Sequence, residues 1–376
     1  MDVNLALPLL GGLSPQAFMR RHWQKKPLLI RQAVPGVLPV VSRAQLFELA
    51  AREDVESRLV VRDAGRWSLR SGPLPRRALP PLKQRGWTLL VQGLDLHVEA
   101  AHELLTRFRF VPDARLDDVM VSYASDGGGV GPHVDSYDVF LLQVQGRRRW
   151  RIGRNVAPAL DPDAPLKVLE RFVPEQECLL EPGDMLYLPP QWAHDGVAEG
   201  ECMTCSIGFQ APRREDLAQQ VLQRMLDAHE RSDVDPLYRD AGAPATAEPA
   251  CIPPAVAAFA ADAIQRSLAD PQLLACALGE VLSEPKPRVI FEGKESAPLS
   301  GGLRLDRRTR MMYDRWHVFI NGESFRAAGR DANVMRSLAD ARCLSRKELK
   351  MLSADARDLV QQWAEAGWLH DDGEPI

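Results

Sequence analysis

The sequence predicts an α+β chain in three parts: an antiparallel β-sandwich or barrel, a helical connector and a small winged-helix-like module. Three observations carry this. Between about residues 116 and 210, six short β-rich runs (118–123, 133–145, 148–153, 177–181, 184–188 and 202–209) are separated by turn residues, as in an antiparallel sandwich or barrel. After Pro212, apolar residues recur at helical spacing. From residue 286 onward, helical stretches flank a strand–turn–strand pattern at 311–327 with Asn321-Gly322 as its turn.

The elements follow in order. Residues 14–32 read as a helix and then a strand, with Ser14 as N-cap, Pro15 in the first turn, and Phe18, Trp23 and Leu28-Leu29-Ile30 as apolar anchors. Residues 43–52 read as a helix capped by Ser42, with Leu46, Leu49 and Ala50 at helical spacing. The segment 56–70 alternates like two strands around a turn at Gly65, and 95–108 reads as another helix. Within the β-rich region, Glu181-Pro182-Gly183-Asp184 is a strong turn signal. A helix over 214–230 puts Leu217, Val221, Leu222 and Met225 on one face. The Ala-, Pro- and Gly-rich stretch 232–254 reads as a linker, because a structureless loop of ~20 residues is unusual inside one domain. Helices are expected at 255–268 and 270–282, then at 332–340, 346–352 and 354–366, the last two capped by Ser345 and Ser353. The expected divisions are 1–212, 213–285 and 286–376, with no repeat at a fixed period.

Composition narrows the class. A length of 376 residues suits two or three domains. Lys and Arg total 47 against 51 Asp and Glu, a net charge of -4, which argues against dedicated nucleic-acid binding. Six cysteines (Cys178, Cys202, Cys205, Cys251, Cys276 and Cys343) are too few for a disulfide framework and point to a reducing cytoplasm. The apolar run Leu5 to Leu10 follows Asp2 rather than a basic segment, so no signal peptide is expected. No apolar run approaches the ~20 residues of a membrane span.

The chemistry concentrates in Asp126-Gly127-Gly128-Gly129-Val130-Gly131-Pro132-His133-Val134-Asp135. On a strand, His133 and Asp135 project to one face and Tyr137 follows on the same side. That pair alone is a weak signal. His194, after the 185–188 strand and Pro189-Pro190, is the natural third ligand. Two His and one carboxylate form the facial triad of non-haem Fe(II) oxygenases, whose open positions take a co-substrate and O2. In Arg147-Arg148-Arg149-Trp150-Arg151-Ile152, strand alternation groups Arg148 with Trp150 and Ile152 on the apolar, inward face. An inward arginine needs an anion, and a guanidinium matches a carboxylate, so Arg148 is read as the anchor for the distal carboxylate of 2-oxoglutarate. Ser122 can add a hydroxyl. Each feature also has an ordinary reading: a solvated arginine face, a loop histidine, a core tyrosine. Their joint occurrence in barrel order favours a site. Cys202-x-x-Cys205 is read as structural, because i and i+3 face opposite ways on a strand. His22, His97, His102, His229, His317 and His370 lack ligand-like spacing.

The run 127–135, followed by Tyr137-Asp138-Val139-Phe140 and Gly146-Arg147-Arg148-Arg149-Trp150, resembles the bacterial JmjC-type ribosomal oxygenases of the cupin superfamily. Arg21-His22-Trp23-Gln24-Lys25-Lys26-Pro27 and the stretch from Glu181 to His194 also match. The resemblance covers about the first 210 residues by motif and the remainder by order of parts. It implies a double-stranded β-helix (jelly-roll or cupin) JmjC barrel, a helical dimerisation region and a winged-helix-like end. The implied activity is Fe(II)- and 2-oxoglutarate-dependent 3-hydroxylation of an arginine in a large-subunit ribosomal protein. By the same resemblance His133, Asp135 and His194 bind iron, Ser122 and Arg148 hold 2-oxoglutarate, and Tyr137, Asp126 and Ser206 line the arginine pocket. Most JmjC enzymes use a lysine where this subgroup has its arginine, in agreement with the alternation argument. A homodimer is expected, with no membrane and no specific nucleic acid as partner. Two other readings remain open: a JmjC demethylase or hydroxylase of another residue, and a cupin-type sensor with a winged-helix DNA reader, for which Arg304, Arg307, Arg308 and Arg310 supply the basic residues.

Overall fold

The structure, a computed structural model, describes residues 2–154, 159–227, 237–293, 299 and 301–371. The chain divides between Ala211 and Pro212 into two units.

The first unit runs α1 (Pro15–Arg21), β1 (Leu28–Ile30), α2 (Arg43–Leu49), β2 (Ser57–Asp63), β3 (Arg66–Ser71), β4 (Trp87–Val91), α3 (Glu99–Thr106), β5 (Leu116–Ala124), β6 (His133–Val134), β7 (Val139–Arg154), β8 (Gln176–Leu180), β9 (Met185–Leu188) and β10 (Trp192–Phe209). Ser14 caps α1, and Ser42 caps α2 in a capping box with Gln45. The strands form one sheet in the order β1-β9-β7-β10-β5-β4-β2-β3, with β6 added to β10 and β8 to β7.

Two apolar layers use the two faces of this sheet. Phe140, Leu142 and Val144 of β7 and Cys205, Ile207 and Phe209 of β10 join Phe18, Trp23 and Phe108 in the larger core. Val139, Leu141, Trp150 and Ile152 of β7 close on Leu180, Leu186 and Leu188 in a smaller one. In β7 the smaller core is therefore odd-numbered before Gly146 and even-numbered after it. The pairing of β7 with β10 is irregular around Met203, and a bulge of this kind inverts strand parity. Gly146 makes it possible: it sits at φ 63°, and a Cβ there would lie 2.1 Å from the Glu201 carbonyl oxygen. The inversion puts Gln143 and Arg148 on the same inner face.

Several expectations need correction. The chain leaves the sheet over 135–138, so 133–145 is not one strand. The run 148–153 belongs to the long β7, and 202–209 is the second half of β10. Strand β4, buried at every residue, was not anticipated, because a short run apolar on both faces lacks alternation. The helix expected at 95–108 is a 3-10 turn at Leu94–Leu96 followed by α3.

The second unit contains α4 (Arg214–Asp227), α5 (Pro254–Leu268), α6 (Pro271–Ser283), β11 (Leu303–Leu305), β12 (Met311–Tyr313), β13 (His317–Ile320), β14 (Glu323–Arg326), α7 (Gly329–Ala341), β15 (Cys343–Leu344), α8 (Arg346–Leu349), α9 (Ala354–Glu365) and β16 (Leu369–Asp371). The end of the helix expected at 228–230, His229 with it, and 232–236 of the expected linker lie outside the described residues. Residues 237–253 hold no helix or strand. Asn321 and Gly322, both at positive φ, turn β13 into β14. Ser345 and Ser353 cap α8 and α9. Helix α6 lies on the hairpin strands: Gly279 faces the Phe319 ring, which a Cβ would approach to 2.2 Å. Strands β11, β15 and β16, each two or three residues long, gave no sequence signal. Among the arginines offered for DNA reading, Arg308 pairs with buried Asp306 and Arg310 donates to the Leu282 carbonyl.

Candidate metal and co-substrate site

Strand β6 pairs with β10 so that His133 stands directly opposite His194. The two rings lie 4.1 Å apart between centroids. Asp135, just past the end of β6, brings its carboxylate to 4.0 Å from His133 Nε2 and 3.6 Å from His194 Nε2. All three potential ligand atoms lie within 4.8 Å of one another, the only such group of three among the described residues. His194 is therefore the third residue of β10, inside a strand rather than in the segment between the runs 185–188 and 202–209. Asp135 reaches the site from a loop, not by strand alternation, and its carbonyl is held by the Gln191 N–H (2.9 Å).

The second ring nitrogens define what this group can bind. His133 Nδ1 lies 2.9 Å from the Gly131 carbonyl and His194 Nδ1 lies 3.0 Å from the Trp192 carbonyl. A carbonyl only accepts, so each Nδ1 carries the hydrogen and each Nε2 offers its lone pair. Burial, followed by the neighbouring His133, lowers the His194 pKa to about 4, against the opposing pull of Asp135. The imidazole is thus neutral near pH 7, as a metal ligand must be. Gly131 sits at φ 79° with Trp67 and Val168 side chains against it, so a side chain there would be strained and crowded.

Arg148 lies on the same inner face, 5% exposed. Its Nη1 donates to Ser122 Oγ (3.0 Å) and Thr204 Oγ1 (3.3 Å), while Nε is buried without a partner. No carboxylate pairs with it among the described residues. The Trp150 ring lies 5.6 Å from the Arg148 guanidinium carbon and 5.9 Å from the His194 ring, linking cation and triad. Gly196, opposite Trp150, leaves room for the indole; a Cβ there would come within 2.6 Å of the ring.

Of the remaining residues, Ser206 follows Thr204 on the inner face of β10 and is 8% exposed. Tyr137 is 40% exposed as a residue, and partial burial of its phenol, followed by the nearby Asp135 carboxylate, raises its pKa above the usual range. Asp126 is not brought to the site. Its carboxylate pairs with Arg85 (2.9 Å) and accepts from the Gly200 N–H (2.9 Å), six residues along β10 from His194, or about 20 Å of extended strand. Cys202 and Cys205 are buried in different apolar clusters, and burial lifts the Cys205 thiol to about 12. Sequence reasoning misses Thr204, Gln143 and Gly196, and places Trp150 inward beside Arg148 without giving it a role; only the parity inversion at Gly146 could have pointed to Gln143.

Comparison with known proteins agrees with this geometry. Residues 103–217 match the JmjC domain family and residues 266–370 match the ROXA-like winged helix. The chain is 40% identical over 223 residues to the ribosomal protein uL16 3-hydroxylase of Escherichia coli K12, covering 58% of this chain and 59% of that protein. It is 37% identical over 222 residues to a probable ribosomal oxygenase of Haemophilus influenzae, covering 57% and 54%. These sequence matches span little more than half the length of the curated relatives. The solved structure of E. coli YcfD superposes over 94% of this chain and 96% of that chain, with TM-score 0.82 and 28% identity. A YcfD structure in complex with cobalt and 2-oxoglutarate superposes with TM-score 0.78 at 29% identity, over 96% and 99%.

The first unit therefore carries a JmjC fold of the cupin type, a barrel with a two-His-one-carboxylate cluster on its inner face. The second matched part is more particular: residues 266–370 match the ROXA-like winged helix, and a structure of YcfD, a ribosomal oxygenase from Escherichia coli, superposes over 95% of this chain at 28% identity.

Proposed function

We propose that this chain is an Fe(II)- and 2-oxoglutarate-dependent protein hydroxylase that 3-hydroxylates an arginine of a large-subunit ribosomal protein. The observation that carries the reading is Arg148: a buried guanidinium with no carboxylate partner among the described residues, one tryptophan away from the triad. An unpaired buried cation is costly, and a dicarboxylate co-substrate would complete it.

His133, Asp135 and His194 would hold Fe(II), leaving positions for 2-oxoglutarate and O2. When bound, the iron supplies oxidative decarboxylation of the 2-oxo acid and oxygen transfer to an unactivated carbon. Gly131 and Trp192 carbonyls hold the two imidazoles in the ligating tautomer. Arg148 and Ser122 orient the co-substrate through its distal carboxylate, and Trp150 fills the space between and excludes water. Tyr137 and Ser206 would receive the cationic side chain.

The substrate reading rests on the relative that is a uL16 3-hydroxylase. A net charge of -4 also favours encounter with a basic ribosomal protein. Exposed Leu222 and Leu226 on α4 and Phe259, Ile264 and Leu268 on α5 support homodimerisation through the middle helices. No described helix is long and apolar enough to cross a membrane. The test is mass spectrometry of ribosomal proteins incubated with the enzyme, Fe(II) and 2-oxoglutarate. One added oxygen atom on an arginine supports the reading; formaldehyde release with loss of a methyl group would favour a demethylase.

A further inference from the structure

Arg148 is oriented by a chain of hydrogen bonds whose direction can be worked out atom by atom. The Thr204 hydroxyl lies 2.9 Å from Gln143 Oε1, and the Gln143 Nε2 lies 2.8 Å from the Gln145 carbonyl and 3.4 Å from that of Gly146. Turning the Gln143 amide over would set its oxygen against two carbonyls, so Nε2 donates to them and Oε1 faces Thr204. Oε1 can only accept, so Thr204 must give its hydroxyl hydrogen to Gln143. What Thr204 offers to Arg148 is therefore a lone pair, which takes the Nη1 hydrogen alongside Ser122. Gln143 and Thr204 are 0% and 1% exposed, so water does not compete for these contacts. Gln143 reaches this face only because of the parity inversion at Gly146.

We propose that Gln143 and Thr204 are positioning residues that lock the rotation of the Arg148 guanidinium. With Nη1 tethered, the Nη2 and Nε edge is left for the ligand, and Nε has no partner among the described residues. The proposal rests on the co-substrate reading and deepens it. The locked edge fixes where the distal carboxylate must lie, so it selects 2-oxoglutarate over the one-carbon-longer 2-oxoadipate.

The test uses full-length protein loaded with Mn(II) without oxygen, and calorimetric titration with each 2-oxo acid. Thr204→Val removes the lone pair at constant volume and should weaken 2-oxoglutarate binding about tenfold, the effect of one buried hydrogen bond. It should also narrow the preference over 2-oxoadipate. In turnover, KM for 2-oxoglutarate should rise by the same factor while kcat stays within about twofold. Thr204→Ser should restore wild-type affinity. Unchanged affinity in Thr204→Val, or equal loss in Thr204→Ser, overturns the proposal. Nitrogen-15 NMR of the Arg148 side chain reads the lock directly: slow guanidinium rotation in the wild type and fast rotation in Thr204→Val support it, and equal rates overturn it. If Mn(II)-loaded wild-type protein binds no 2-oxoglutarate, the co-substrate reading fails by itself, and the NMR comparison still decides whether the lock exists.

Discussion

Replacing Arg148 by methionine should separate stability from function, with opposite signs. Methionine fills much of the same volume and removes a cation that is 5% exposed with no carboxylate among the described residues. Replacing buried ionic groups by apolar ones of similar size is commonly neutral or stabilising by ~1–4 kcal/mol. The hydroxyls left behind keep other contacts: Ser122 lies 3.5 Å from the Thr204 carbonyl, and Thr204 donates to Gln143. The ligand-free variant should therefore be about 1–3 kcal/mol more stable than the wild type. Binding moves the other way. Two charge-assisted hydrogen bonds at about 1.5–3 kcal/mol each correspond to at least about a hundredfold in affinity at about 1.4 kcal/mol per decade. Urea unfolding with and without saturating 2-oxoglutarate measures both quantities on one sample. Ligand should raise the midpoint of the wild type and not of the variant. A ligand-free variant clearly less stable than wild type, or one still stabilised by 2-oxoglutarate, would refute the argument that Arg148 waits for an anion.

Other outcomes follow from the same geometry. Gly196→Ala drives a methyl into the Trp150 ring and should cost about 1–3 kcal/mol of stability together with much of the activity, read by denaturation and turnover. His194 has a pKa lowered from 6.5 to about 4, so its neutral form contributes stability that is present above pH 6.5 and lost as pH falls toward 4. In the metal-free protein, His194→Gln should flatten the acid limb of the stability curve, and an unchanged limb would show that another group controls it. Asp126→Asn should leave turnover within about twofold, because its carboxylate is engaged by Arg85 and Gly200 away from the triad. Leu226→Glu with Ile264→Glu should convert a dimer to monomer in sedimentation; an unchanged mass places the dimer contact elsewhere.

The sequence made much of this visible, for identifiable reasons. Ser14, Ser42, Ser345 and Ser353 announced their helices because capping is local chemistry. Arg148 was placed inward because alternation holds over the six residues around it. His133, Asp135 and His194 could be named together, but not the way they meet: the register of β6 on β10 is a long-range pairing with no local signature. Asp126 was misplaced because its neighbours in sequence belong to the site, while its partners Arg85 and Gly200 are distant in the chain. Thr204 and Gln143 stay hidden because each is an unremarkable polar residue until a bulge at Gly146 puts Gln143 and Arg148 on one face.

The central claim is that His133, Asp135 and His194 form one iron centre that consumes 2-oxoglutarate to hydroxylate a protein. Its most direct measurement is succinate production and substrate mass, followed together in wild type and Asp135→Ala with added Fe(II). The wild type should form one succinate for each oxygen atom gained by the ribosomal substrate, and the variant should lose both products along with bound iron. Full activity in Asp135→Ala would contradict the account.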